Sequence, residues 1–271
     1  MNIKNPPAIE IITIDFRYKE KLILNNINCT IQKGEFLGII GPNGSGKTTL
    51  LKLLCGLVQP EKGSILIQGT PLIQINHNER AKIISFLPQE YQPFDYAKVY
   101  HTVMLSRTPY LYHSFFEKKE DIEAVRNAML IAEVTHLSDR YIHELSGGEK
   151  QMVYIAKLIA QNTDIIILDE PTTFLDIKHV IKIMNIIKKI NKEKKITVIA
   201  SMHDLNIAAM YCTRILMLKK GTIVSLGTPK EVLTYEKIKN TFDTEFYIDT
   251  NDLTGEPIVL PMSPHSVVKE E

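Results

Sequence analysis

Three short stretches of this 271-residue chain carry residue types that suit phosphate chemistry. The first, GPNGSGKTT, comprises Gly41, Pro42, Asn43, Gly44, Ser45, Gly46, Lys47, Thr48 and Thr49. Its spacing fits a loop whose backbone N–H groups, from Asn43 to Thr48, wrap the phosphates of a nucleoside triphosphate. Lys47 would reach the β and γ phosphates and the Thr48 hydroxyl would ligate Mg²⁺. The second, ELSGGEKQMVYIAKLIAQ, sets Ser146, Gly147 and Gly148 in front of a helix, where free amides and the positive end of the macrodipole attract an anion. No lysine directly follows its glycines, as Lys47 follows Gly46. The third, IIILDE, places Asp169 at the end of an apolar run, suited to hold Mg²⁺ through water, and Glu170 beside it, suited to orient or deprotonate an attacking water. An acidic pair at a strand end also serves in an ordinary helix-capping turn.

The flanking elements have to place these groups, and their patterns agree with that task. FLGII reads as a strand entering the phosphate loop, and KTTLLKLLCGL reads as a helix leaving it, closed by Gly56. Upstream, IEIITIDFRY and LILNNINCTIQKGEF alternate as antiparallel strands, with a turn at Lys33-Gly34; GSILIQGTPL adds a short strand and turn. From about Tyr91 to Gln161 the periodicity becomes helical. Ile122, Val125, Met129 and Ala132 form one apolar stripe, and Met152, Ile155 and Ile159 form another after Gly148. TDIIILDEP and KITVIASMHD are continuous apolar runs of the kind found in parallel strands covered on both faces, with DIKHVIKIMNIIKKINKE as the crossover helix between them. Near the end, Thr228, Pro229 and Glu231 make a capping box with a proline start, and EFYIDTNDLTGEPIVLPM reads as a hairpin turning at Thr254-Gly255.

The bulk properties narrow the class. Thirty-two basic and thirty-one acidic residues leave a net charge of +1, so no global field points to nucleic acid or to an anionic membrane surface. The three cysteines, Cys29, Cys55 and Cys212, lack metal-ligand spacing and read as small core residues of a reducing compartment. The N-terminus lacks the pattern of a secretory signal, and no run approaches the roughly 18 apolar residues of a spanning helix. A cytoplasmic protein, able to dock on a membrane partner, is the expectation.

Taken in order and spacing, these motifs resemble the nucleotide-binding subunit of an ATP-binding cassette (ABC) transporter, from about Ile9 to the C-terminal hairpin. GPNGSGKTT matches Walker A, Gln89 in FLPQE the Q-loop, LSGGE (Leu145, Ser146, Gly147, Gly148, Glu149) the signature, IIILDE Walker B, FLD the D-loop and His203 in SMHDLN the switch histidine. The resemblance implies an α/β fold: a P-loop NTPase core with a mixed sheet containing parallel strands, an N-terminal antiparallel β subdomain and an inserted helical subdomain. One ABC ATPase domain would span residues 1–271. Within it, residues 9–90 and 162–227 would form the RecA-like core and β subdomain, 91–161 the helical insertion and 228–271 the C-terminal helix and hairpin.

The resemblance further implies ATP hydrolysis with Mg²⁺ held by Thr48, Gln89 and Asp169, and head-to-tail dimers in which the signature of one subunit closes over the γ-phosphate held by the other. That would explain a second anion site whose glycines no lysine directly follows. Residues with weaker signals have plain alternatives: His203 as a satisfied histidine at a strand end, Gln89 as a surface amide, Tyr18 as a strand aromatic rather than an adenine platform, and Asp176 as the N-cap of the following helix rather than a residue at the dimer seam. Two departures stand out. Glu149 occupies a position where glutamine is commonest, and Phe174 is bulkier than the usual D-loop residue. MHDLNIAAMYCTRILMLKKGTIVSLGTPKEVLT, LSRTPY and TGEPIVLPMSP resemble the ATPases of iron-siderophore, haem and cobalamin importers.

The implied partners are a second ATPase subunit, as a homodimer or pseudo-twofold pair, integral membrane permease subunits on the inner face of the cell membrane and, indirectly, a substrate-binding protein; nucleic acid is not expected. The aromatic stretch PQEYQPFDYAKVYHTVML could form a groove for a permease helix, or its tyrosines could pack the helical subdomain. The rival reading is a soluble ABC ATPase of iron-sulfur cluster assembly.

Overall fold

The computed structural model describes residues 6–89, 96–111 and 117–262. In chain order the elements are β1 (Ile9–Tyr18), β2 (Lys21–Ile31), β3 (Phe36–Ile40), α1 (Lys47–Leu54), β4 (Lys62–Ile67), β5 (Thr70–Pro71), α2 (His77–Ile83) and β6 (Ile84–Leu87). They continue as α3 (Val99–Met104), α4 (Lys119–Ile131), α5 (Gly147–Gln161), β7 (Ile165–Asp169), α6 (Ile177–Lys194) and β8 (Thr197–Ser201). The last are α7 (Leu205–Tyr211), β9 (Arg214–Lys219), β10 (Thr222–Gly227), α8 (Pro229–Val232), α9 (Tyr235–Phe242), β11 (Phe246–Thr250) and β12 (Pro257–Pro261). The chain forms two compact units: Met1–Leu72 with Ile199–Glu271, and Ile73–Val198.

In the first unit, β1 pairs antiparallel with β2 on one side and β4 on the other, and β5 completes this sheet. β3 pairs parallel with β9, which turns antiparallel into β10. All five residues of β3 are buried, which matches its continuous apolar sequence and delivers the chain into the phosphate loop. Gly38 of β3 is a packing position: a Cβ there would lie 2.7 Å from Cys212 Sγ, just beyond α7. The cysteines are free and buried, and burial pushes the Cys29 thiol up to about 12, so it is an inert core group. The α8 capping box and the β11–β12 hairpin form as their sequences lead one to expect.

In the second unit, β6 and β7 pair parallel, and β7 is buried throughout. Val125, Met129 and Ala132 of the first stripe are buried, as are Met152, Ile155 and Ile159 of the second. α5 also buries Val153, Ala156 and Leu158, because α3, α4 and the 3₁₀ turn Leu105–Tyr110 all pack on it. The segment LSRTPY is that turn. Its Arg107 donates from Nε to Asp121 Oδ1 at 2.9 Å and from a terminal nitrogen to Ala160 O at 2.8 Å, with Tyr110 stacked 3.8 Å from the guanidinium carbon. Tyr110 Oη donates to Gln161 O at 2.9 Å, so one dipeptide-scale cluster ties off the C-terminal end of α5.

Candidate functional site

The phosphate loop lies wholly in the first unit. Gly41 has φ 153, and a Cβ there would fall 2.2 Å from Leu218 O and 2.8 Å from Ser45 Oγ, so only glycine fits. Ser45 donates its N–H to Pro42 O and accepts from Gly221 N–H, while Gly221 O accepts from Asn25 N–H. Lys47, only 5% exposed, donates from Nζ to Gly41 O at 2.8 Å and to Pro42 O at 3.3 Å, so its ammonium sits inside the curl of the loop. Ser45 Oγ is buried without a hydrogen-bond partner among the described residues, a cost that a phosphate oxygen would relieve. Asn43 and Gly44 are exposed at the loop tip, Thr48 is half-buried and Thr49 buried in the first turn of α1. Tyr18 ends β1 at 45% exposure with its ring edge-on to Phe16, so part of the ring is open to solvent. His203 lies exposed after β8, just ahead of the Asp204 cap of α7.

The second unit carries the remaining motif residues. Asp169 closes β7 and is almost wholly buried; Glu170 follows at φ 52. One oxygen of Glu170, Oε2, accepts from Gln89 Nε2 at 2.7 Å and from Thr173 Oγ1 at 3.2 Å. The Q-loop amide and the Walker B glutamate are thus joined, a pairing across 81 positions that no local pattern reveals.

The signature is a capped helix start. Ser146 is the N-cap of α5, with Oγ accepting from Glu149 N–H; Glu149 Oε2 in turn accepts from both Ser146 N–H and Oγ–H at 2.8 Å. The Ser146 N–H, and then its hydroxyl, hold the Glu149 carboxyl below its ordinary range. The unusual glutamate therefore completes a capping box. Leu145 is buried, Gly147 has open space around it, and Gly148 presses on the His179 ring, where a Cβ would lie 2.6 Å from two ring atoms.

Asp176 is the N-cap of α6. Its Oδ1 accepts His179 N–H at 2.9 Å, and both carboxylate oxygens lie within 3.0 Å of His179 Nδ1. The backbone N–H of His179, and then its ring, hold the Asp176 carboxyl below its ordinary range. His179 thus bridges the D-loop aspartate and the signature glycine. Sequence reasoning passed over it; its place three residues after Asp176 on a helix was the available signal. Phe174 is fully exposed at φ 63. Residues 90–95 of the aromatic stretch lie outside the described residues; of the rest, Tyr96 is exposed, with its ring 5.5 Å from that of His143, and Tyr100 is half-buried.

The family described as ABC transporter matches residues 24–173, more than half of the chain. The chain belongs to the ABC transporter family. It is 37% identical over 245 residues to the ferric enterobactin transport ATP-binding protein FepC of Escherichia coli, covering 90% of each chain. To the petrobactin import ATP-binding protein FpuD of Bacillus anthracis it is 34% identical over 264 residues, covering 97% of each. Among solved structures, a dimeric post-hydrolysis state of the ATP-binding cassette MJ0796 bound to ADP and Pi superposes with a TM-score of 0.71 at 30% identity, covering 81% of this chain and 98% of that one. The P-loop NTPase cassette fold is therefore established for this chain, and it is an ABC ATPase. Among the described residues, no helix is long and apolar enough to cross a membrane.

Proposed function

We propose that this chain hydrolyses ATP to power a membrane importer of iron-siderophore cargo, working as one of two ATPase subunits docked on permease subunits at the cytoplasmic face. The names of FepC and FpuD support the iron-siderophore choice over haem or cobalamin, and over a soluble role in iron-sulfur cluster assembly. The MJ0796 dimer supports paired subunits. A substrate-binding protein would deliver cargo to the permease, and the cargo would not touch this chain.

The observation that carries the chemistry is Glu170, whose Oε2 is held by Gln89 and Thr173. That grip orients the carboxylate to take a proton from water as its oxygen attacks the γ-phosphorus; the bond to the β–γ bridging oxygen breaks and ADP leaves. The loop of residues 41–49 would bind the phosphates, with Lys47 exchanging its carbonyl partners for β and γ oxygens. Tyr18 would stack on adenine and His203 would contact the γ-phosphate. Ser146, Gly147 and Gly148 would close over the γ-phosphate of a partner subunit, with Asp176 at the seam. Thr48, Gln89 and Asp169 offer the hard oxygen donors that suit Mg²⁺ and would hold it; when bound, it supplies positive charge to the phosphate oxygens.

The test is uptake. Cells lacking this chain should lose ATP-dependent accumulation of radioiron supplied as a ferric siderophore, and regain it with the wild-type chain but not with Glu170→Gln. The purified glutamine variant should bind ATP and accumulate as dimer without turnover. Undiminished hydrolysis by that variant would remove Glu170 from the chemistry; unchanged iron uptake in cells lacking the chain would remove the cargo assignment.

A further inference from the structure

The family match ends at residue 173, yet the last described segment reaches back to Asn206 in α7, three residues after His203. Val259 in β12 is buried, and both of its backbone groups are taken by a single side chain: Val259 N–H donates to Asn206 Oδ1 at 2.8 Å, and Asn206 Nδ2 donates to Val259 O at 3.1 Å. An asparagine amide carries one donor and one acceptor face, so here it stands in for a neighbouring strand on the outer edge of the hairpin. The same edge has no other N–H to offer. Residues 257, 259 and 261 point their backbone nitrogens the same way, and Pro257 and Pro261 have no N–H to give.

Asn206 lies three residues after His203, and the intervening chain is fixed from both ends. Before the histidine, Met202 N–H donates to Ile39 O of β3 at 3.0 Å. After it, Asp204 Oδ1 accepts from Asn206 N–H at 2.8 Å and from Ile207 N–H at 3.0 Å, capping α7. Beside this link lies a cavity of about 160 Å³, lined by Asn206, Ala209 and Met210 of α7 and by Pro257 and Ile258 of β12.

We propose that the C-terminal hairpin is a brace for catalysis, with Asn206 a positioning residue that sets His203 through its hold on Val259. The proposal rests on the reading of His203 as a γ-phosphate contact. Without the brace, the first turn of α7 and the histidine ahead of it sample more positions, and turnover falls while nucleotide binding by the phosphate loop does not.

The experiment is a double-mutant cycle on the full chain with Asn206→Ala, His203→Ala and the pair, supported by Val259→Pro, which removes the facing N–H from the other side. Asn206→Ala and Val259→Pro should each lower kcat for ATP about fivefold or more, a typical size for residues that act through one another. Affinity for a fluorescent ATP analogue should stay within about twofold, and amide exchange at residues 203–206 should quicken. On the residual turnover of His203→Ala, adding Asn206→Ala should cause no further loss. A loss of the same size in that background, or wild-type kcat in Asn206→Ala while His203→Ala is crippled, overturns the brace and leaves the role of His203 standing. Full turnover in His203→Ala itself overturns the histidine's role and the brace with it.

Discussion

Replacing Arg107 by methionine should be one of the most damaging single changes in the second unit. The Arg107 and Asp121 side chains are 9% and 3% exposed, so neither has solvent to fall back on. Methionine keeps most of the apolar stem that packs near Tyr110 but leaves the Asp121 carboxylate buried without its cation and Ala160 O without its donor. Breaking a buried, hydrogen-bonded ion pair from one side costs about 3–5 kcal/mol. For a chain of this length that corresponds to a fall in Tm of about 6–10 °C, at about 2 °C per kcal/mol. The double variant Arg107→Met with Asp121→Leu removes the stranded charge. It should be only about 1–2 kcal/mol below wild type, the remainder being the cap that Asp121 provides to Lys118 N–H at the start of α4. Lysine at 107 keeps the charge, but one ammonium cannot reproduce a planar fork that reaches both oxygens while stacked on Tyr110, so it should fall between wild type and methionine. Urea unfolding followed by circular dichroism, with thermal melts in parallel, measures all four proteins. A methionine variant within about 1 kcal/mol of wild type, or a double variant as unstable as the single, would refute the reasoning from a stranded buried charge.

Gly41→Ala should lose nucleotide binding and about 2 kcal/mol or more of stability, because a Cβ at φ 153 meets Leu218 O; analogue fluorescence and melting check both. Lys47→Ala removes an ammonium that donates to Gly41 O and Pro42 O, and should weaken ATP binding more than about tenfold and cost about 1–3 kcal/mol of stability, as read by calorimetric titration and melting. The Glu149 carboxyl is depressed by Ser146, so its contribution to the α5 cap is present above the unfolded value, about 4.3, and is lost as pH falls through the lower folded value. The Tm difference between wild type and Glu149→Gln should therefore vanish under acid; a difference that persists unchanged at the lowest pH would contradict this sign.

Local chemistry was legible because it is written in neighbours. The phosphate loop, the Asp176 cap and the Thr228 box each use residues within a few positions, and their patterns survive in the folded chain. The short elements α2 and β6 were missed. Asn76 caps α2 by accepting from Glu79 N–H, but seven residues with none fully buried leave no apolar stripe to read, and ISFL is too short to separate from a loop. The β9–β10 hairpin around Lys220-Gly221 is hard to read because β9 is a continuous buried run, RILMLK, without the alternation of a half-exposed strand. Glu149, a departure from the commoner glutamine, is half of a reciprocal cap with Ser146. What the sequence could not disclose were meetings across distance: Gln89 with Glu170, His179 with Gly148, and Asn206 with Val259.

Gly221 has a consequence for how the nucleotide is gripped. Its two peptide groups fasten Ser45 on one side and Asn25 on the other, and a Cβ there would lie 2.1 Å from Ile23 O. Gly221 thus rivets the antiparallel sheet, whose β1 ends in Tyr18, to the curl that receives the phosphates, and Gly46 of that curl also lies against Leu24 of β2. Base and triphosphate would accordingly be carried by a single stiff jaw, and any side chain larger than hydrogen at 221 would pry its two edges apart.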